Sequence, residues 1–159
     1  MKVTIIGLGL IGGSLAKDLR KSGFANEFAG IDTNEKHAQK AIELGIVDYA
    51  EPLEEGIKNT DLIIIAIPVD KELEVLPRVL DEVDKNTTIT DMGSAKGKIA
   101  EKVKNHPKRK QFVAAHPMSG TENSGPAAAL EGLFKNKIAI ICDQENSAPQ
   151  HIALTEKMF

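Results

Sequence analysis

Residues 2–19 read KVTIIGLGLIGGSLAKDL, and this stretch decides the fold. Val3 to Ile6 make an apolar strand pattern that runs directly into Gly7, Gly9 and Gly12, spaced G-x-G-x-x-G. Leu10, Ile11, Leu15, Ala16 and Leu19 then recur at helical spacing along one side. Strand, glycine turn and helix in that order open a doubly wound α/β sheet, and each glycine has a physical task. Gly7 permits the tight turn, Gly9 removes a side chain where backbone meets a pyrophosphate, and Gly12 lets helix and strand pack closely. The helix amino terminus adds free N–H groups and a positive dipole end, which suit a diphosphate. Gly7, Leu8, Gly9, Leu10, Ile11 and Gly12 are therefore candidate dinucleotide contacts.

A second strand pattern, EFAGID, ends at Asp32, twenty residues past Gly12. At that distance a carboxylate accepts hydrogen bonds from the adenosine ribose hydroxyls, and Thr33 follows it at the same edge. A carboxylate also repels a 2′-phosphate, and Thr33, Asn34 and Glu35 offer no arginine to receive one. NAD is the expected cofactor, rather than NADP. A glycine fingerprint alone is weak, because glycines punctuate many strand–helix turns; the flanking strand, helix and acid give this one its context.

With 159 residues the chain can bury one sizeable core. Its net charge of −3 gives no electrostatic reason to expect nucleic acid. No apolar run is long enough to cross a bilayer, and the chain opens on a core strand, so neither a membrane nor a signal peptide is expected. The single cysteine, Cys142, lies in the apolar run KIAIIC and reads as a buried, inert thiol, which fits a reducing cytoplasm.

Further along, Asn34 to Leu44 reads as an amphipathic helix stopped by Gly45, and Ile46 to Tyr49 as a short third strand. A helical stretch around Leu53 to Ile57 precedes DLIIIAIP, whose continuous β-branched run is that of a parallel strand covered on both faces. Pro68 ends that strand. A helix from about Lys71 to Val83, a strand over Thr87 to Asp91, and a helix from Ala95 to Lys104 with Ser94 as its N-cap follow. Lys108, Arg109 and Lys110 read as a solvated turn. The strand QFVAA leads into His116, and Asn136 to Cys142 makes the last strand. The pattern predicts a doubly wound parallel sheet, a Rossmann-type NAD-binding domain over residues 1–143. Residues 144–159 read as the start of a helix leading toward a helical second domain that this chain lacks.

In such a sheet, ligands bind outside the carboxyl ends of the strands. Four segments reach that edge: Gly7–Gly12, Ile67–Pro68–Val69, Asp91–Met92–Gly93–Ser94 and His116–Pro117–Met118–Ser119–Gly120. The second would wall the cofactor cleft, and Gly93 with Ser94 would present backbone N–H groups and a hydroxyl. His116 is the candidate proton acceptor for oxidation of an alcohol, since an imidazole titrates near working pH. Ser94 would hold the imidazole or the substrate hydroxyl, or serve only as a helix cap. His37, His106 and His151 fall in helix or surface contexts without supporting residues and read as structural.

GLGLIGGS, AIPV, DMGSAKGKI and HPMSGTENSG together resemble the prephenate dehydrogenase family of tyrosine biosynthesis, which includes arogenate-using and cyclohexadienyl dehydrogenases. The resemblance spans essentially the whole chain, and the D-x-G-S-x-K and H-P-M-x-G-T-E segments carry most of its specificity. It implies oxidative decarboxylation, with hydride passing from the hydroxyl-bearing ring carbon to NAD and prephenate becoming 4-hydroxyphenylpyruvate. It also implies that His116 draws off the ring-hydroxyl proton, that Ser94 contacts the same hydroxyl, and that Gly120, Thr121 and Glu122 lie by the substrate side chain. A helical carboxyl-terminal domain that dimerises and supplies an arginine for a substrate carboxylate is implied as well, and nothing in this chain matches it. Arogenate as substrate, another NAD-dependent hydroxyacid dehydrogenase, and a non-catalytic NAD-binding module remain alternatives.

Overall fold

The computed structural model describes residues 1–159. Strands β1 (Lys2–Ile6), β2 (Glu27–Ile31), β3 (Tyr49–Ala50), β4 (Leu62–Ile65), β5 (Thr88–Asp91), β6 (Phe112–Pro117) and β7 (Ala139–Cys142) make one sheet. Their order across it is β3-β2-β1-β4-β5-β6-β7. Every pairing from β3 to β6 is parallel, and β7 alone runs antiparallel, against β6. The strand order reverses between β1 and β4, which is where a doubly wound sheet opens a crevice at its carboxyl edge.

The apolar pattern explains the two layers. In β4, Leu62 and Ile64 face one core with Val3, Ile5, Leu15, Leu19, Phe28 and Met158. Ile63 and Ile65 face the other, with Leu76, Leu80, Ile89, Ile99 and Phe112. Helices α1 (Leu10–Lys21), α2 (Glu35–Glu43) and α6 (Pro149–Met158) cover the first face; α3 (Leu53–Gly56), α4 (Val69–Glu82) and α5 (Lys96–Val103) cover the second. A strand buried on both sides cannot alternate polar and apolar residues, so the DLIIIAIP run is apolar throughout.

Several local expectations change. The third strand is Tyr49–Ala50; Ile46 and Val47 are buried in the turn before it, so their hydrophobicity signals core rather than strand. Helix α4 starts at Val69, because Pro68 sits at the N-cap with φ −55°. Ser94 does not cap α5: the N-cap is Ala95, without a side-chain hydrogen bond, and Ser94 is exposed. The basic run is not a solvated turn. Arg109 is buried, donates to Phe112 O at 2.7 Å and pairs with Asp143, whereas Lys108 Nζ bonds Asp81 O and Val83 O. Cys142 is only half-buried, because antiparallel β7 lies at the sheet edge.

Helix α6 buries His151, Thr155 and Met158 against β5 and β6, so its inner face is covered within this chain. His151 is not unsupported: its Nδ1 lies 2.6 Å from Thr88 Oγ1. Burial lowers its pKa from the ordinary 6.5. The unfolded chain therefore takes up a proton at this site sooner than the folded one, and stability falls as pH drops below 6.5. Chemical denaturation across that interval should show the loss in the native chain and a smaller one in His151→Asn; an equal loss in both would contradict the assignment.

Candidate functional site

The glycine turn is shaped by contact. Gly7 has φ +95°, and a Cβ there would lie 2.4 Å from Ala66 O and 2.7 Å from Ile67 Cγ2. A Cβ on Gly12 would lie 2.1 Å from Gly7 O and 2.8 Å from Ile5 Cγ2. Both positions demand glycine for packing. Gly9 differs: nothing lies within 4 Å of where its Cβ would be. It is the N-cap of α1, offers no side chain to the first-turn amides, and that turn contains no acid. Open space, uncapped N–H groups and an uncompensated dipole end meet at one point, and a diphosphate fits all three.

Asp32 follows β2 at the same edge, and its two carboxylate oxygens accept from Leu8 N–H and Asn34 N–H at 2.9 Å each. The acid is thus fixed to the glycine turn by its own backbone. His37, on the first turn of α2, brings Nδ1 to 3.7 Å from Asp32 Oδ2, a neighbour that the sequence reading set aside as unsupported. Thr33 is exposed beside it. Ile67 and Pro68 lead from β4 into α4, whose first residue is Val69; Ile67 lies against Gly7, and Pro68 is exposed at the rim.

On the other side of the sheet's switch point, His116, next to last in β6, is half-buried, with Nδ1 3.4 Å from Met92 O. A carbonyl only accepts, so Nδ1 carries the proton in that bond and Nε2 is left as the acceptor. Ser94 makes no hydrogen bond to His116. Gly120, Thr121 and Glu122 are exposed on the loop after β6, where Thr121 Oγ1 accepts from Asn123 N–H. That loop then crosses back toward the glycine turn. Leu130 N–H donates to Ser14 Oγ at 2.9 Å, Lys17 Nζ donates to Ala129 O at 2.8 Å, and Gly13 abuts Ala129. The loop that follows His116 is therefore tied to the first turns of α1, the helix that opens on the glycine turn.

Sequence reading missed a buried charge cluster beneath Gly93. Asp91 and Glu72 are both fully buried, and Lys96 pairs with Asp91. Glu72 falls on the stripe of Leu76, Val79 and Leu80, so its spacing along α4 was an available signal. Burial, then the adjacent Asp91, pushes its carboxyl up to about 9. A surface concavity of about 630 Å³, lined by Lys110, Ser147, Pro149 and Ile152, lies at the amino end of β6, away from all these groups.

Residues 15–159 match the family described as prephenate dehydrogenase, nucleotide-binding domain. A prephenate dehydrogenase of Bacillus subtilis is 38% identical over 96% of this chain and 42% of its own length. The crystal structure of prephenate dehydrogenase from A. aeolicus in complex with hydroxyphenyl propionate and NAD+ superposes with a TM-score of 0.91 at 32% identity, covering 99% of this chain and 56% of that one. A Synechocystis arogenate dehydrogenase gives 0.89 at 30% identity over 100% of this chain and 56% of that one. The chain thus spans about half the length of the proteins it matches.

Gly9 and Gly12 separate binding from packing. Gly12→Ala forces backbone apart and should cost about 2 kcal/mol or more of stability. Gly9→Ala should change stability by only about 0.5 kcal/mol, yet weaken dinucleotide binding about tenfold or more by filling the phosphate space. Denaturation and calorimetric titration of both variants check this, and similar stability losses in the two would contradict it.

Proposed function

The chain belongs to the prephenate dehydrogenase family through that family's nucleotide-binding domain, and from this premise we propose that it is the NAD-binding half of an enzyme converting prephenate to 4-hydroxyphenylpyruvate. NAD, when bound, supplies the hydride acceptor. Gly7, Leu8, Gly9, Leu10, Ile11 and Gly12 would hold the pyrophosphate on the uncapped start of α1. Asp32 and Thr33 would take the adenosine ribose, Ile67, Pro68 and Val69 would wall the cleft, and Gly93 would lie under the nicotinamide end.

The observation that carries the catalytic part is His116 at the end of β6, with Nδ1 on Met92 O and Nε2 free. Nε2 accepts the proton of the ring hydroxyl as the hydride leaves the same carbon. The carbon–carboxylate bond then breaks, its electron pair enters the ring, carbon dioxide departs, and the phenolate oxygen recovers a proton. Because aromatisation drives the change, alignment and proton acceptance are the main demands on the protein. Ser94, exposed on the turn after β5, would bind the same hydroxyl once substrate is present, and Gly120, Thr121 and Glu122 would border its side chain.

Arogenate is the second reading, favoured by the 0.89 match to an arogenate dehydrogenase structure. It needs the same half-site and differs at the far end of the substrate. The dinucleotide-binding domain also includes Pro149–Met158, packed on β5 and β6, and the relatives' extra length accords with a second, helical domain beyond it. Through it the whole protein would form a soluble cytoplasmic homodimer and bind a substrate carboxylate; no helix here is long and apolar enough to cross a membrane. In the full-length enzyme, His116→Asn should lower turnover by about 10²-fold or more while NAD affinity stays within about twofold. A comparable fall in NAD affinity would remove His116 from the proton-accepting role.

A further inference from the structure

The carboxyl end of β5 buries two carboxyl groups against one cation. Asp91 is fully engaged: Oδ2 meets the Lys96 ammonium and Gly93 N–H at 3.2 Å, and Oδ1 accepts Ala115 N–H at 3.3 Å. Glu72, fully buried, meets no N–H or hydroxyl donor, and the only side chain its carboxyl can pair with is Asp91. The charged groups that face it are Asp91 from β5 and Lys96 from α5; its own neighbours on α4, Asp70, Lys71 and Glu74, are exposed. Two carboxylates beside one ammonium in a dry site leave an uncompensated charge, so one of them keeps its proton. Asp91 has three donors and Glu72 has none. The proton belongs on Glu72.

The cluster touches the crevice at Gly93. A Cβ on Gly93 would lie 3.3 Å from each of Asp91 Oδ2, Glu72 Oε2 and Val69 Cγ2, so the turn rests directly on the two carboxyl groups. Asp91 also ties that turn to Ala115, the residue before His116. We propose that Glu72 is a positioning residue for the nicotinamide end of the crevice: as the neutral partner of the Asp91–Lys96 pair, it seats the Gly93–Ser94 turn and keeps the floor beneath it free of net charge. The role rests on the dinucleotide reading above. The oxidised nicotinamide ring carries a positive charge and the reduced ring does not. A proton lost from Glu72 places a negative charge under the ring and favours NAD+ over NADH. A brace that only holds the fold would weaken both forms alike.

The test is the ratio of NAD+ to NADH affinity, measured by calorimetry on this chain between about pH 7 and about pH 10, around the value of about 9 for Glu72. In the native chain the ratio should move toward NAD+ by about threefold, the effect of one charge roughly 10 Å away in a partly wet site. In Glu72→Gln it should stay flat. The same movement in Glu72→Gln, or none in the native chain, overturns the proposal while leaving the cofactor site intact. If Glu72→Gln does not fold, the infrared carbonyl band of a protonated acid in the native chain must fade as the ratio moves, and absence of that band at pH 7 overturns it. Failure of the native chain to bind either dinucleotide at any pH refutes the cofactor reading itself, and the role with it.

Discussion

The close approach of α1 to β1 and β4 is the constraint on which the rest depends. With Gly12 against Gly7 O, and Gly7 against Ala66 O, no side chain fits between helix and sheet at that corner. The helix is thereby pressed onto the switch point of the sheet, with its uncapped amino terminus aimed into the crevice. Asp32 is locked to the same corner through Leu8 N–H. Packing and ligand chemistry are therefore one geometry: glycines that satisfy the core also position the amides that would meet a diphosphate.

The two ends of the crevice use opposite electrostatics. At α1 the site is open, with backbone donors and little to desolvate. At β5 two carboxyl groups are buried beside a single lysine, where an unpaired charge would be costly. Asp91 links the halves of the second end by holding both Gly93 and Ala115. His116 inherits its placement from that link and from the Met92 carbonyl. Proton acceptance at His116 and hydride acceptance over Gly93 would then depend on a single buried brace.

Much of this was legible in the sequence where one residue type has one physical use. The glycine spacing, the DLIIIAIP run and the acid after β2 each admit few alternatives, and they give the sheet, its layers and the crevice. Ser94 was misread because a serine before a helix ordinarily caps it; here the Asp91 carboxylate holds the turn and the helix starts two residues later. Arg109 was misread because adjacent lysines make a charge run look solvated, whereas its partner Asp143 lies thirty-four residues away. Glu72 was overlooked because a glutamate on a surface helix is usually wet. Only its place on the stripe of Leu76 and Val79 marks it as buried, and only the fold shows the second carboxylate beside it. Long-range pairing, which no local pattern encodes, accounts for Arg109 and Glu72; Ser94 lost its cap role to a contact two residues away.

The most direct test of the account is the cofactor preference of this chain. Calorimetric titration with NAD and with NADP, on the native chain and on Asp32→Ala, asks whether the corner built by Gly7, Gly9, Gly12 and Asp32 recognises a dinucleotide by its ribose. The account predicts that NAD binds about tenfold or more tightly than NADP, because a 2′-phosphate would meet the Asp32 carboxylate, and that Asp32→Ala narrows that gap. Equal affinity for the two cofactors in the native chain, or binding of neither, would contradict it.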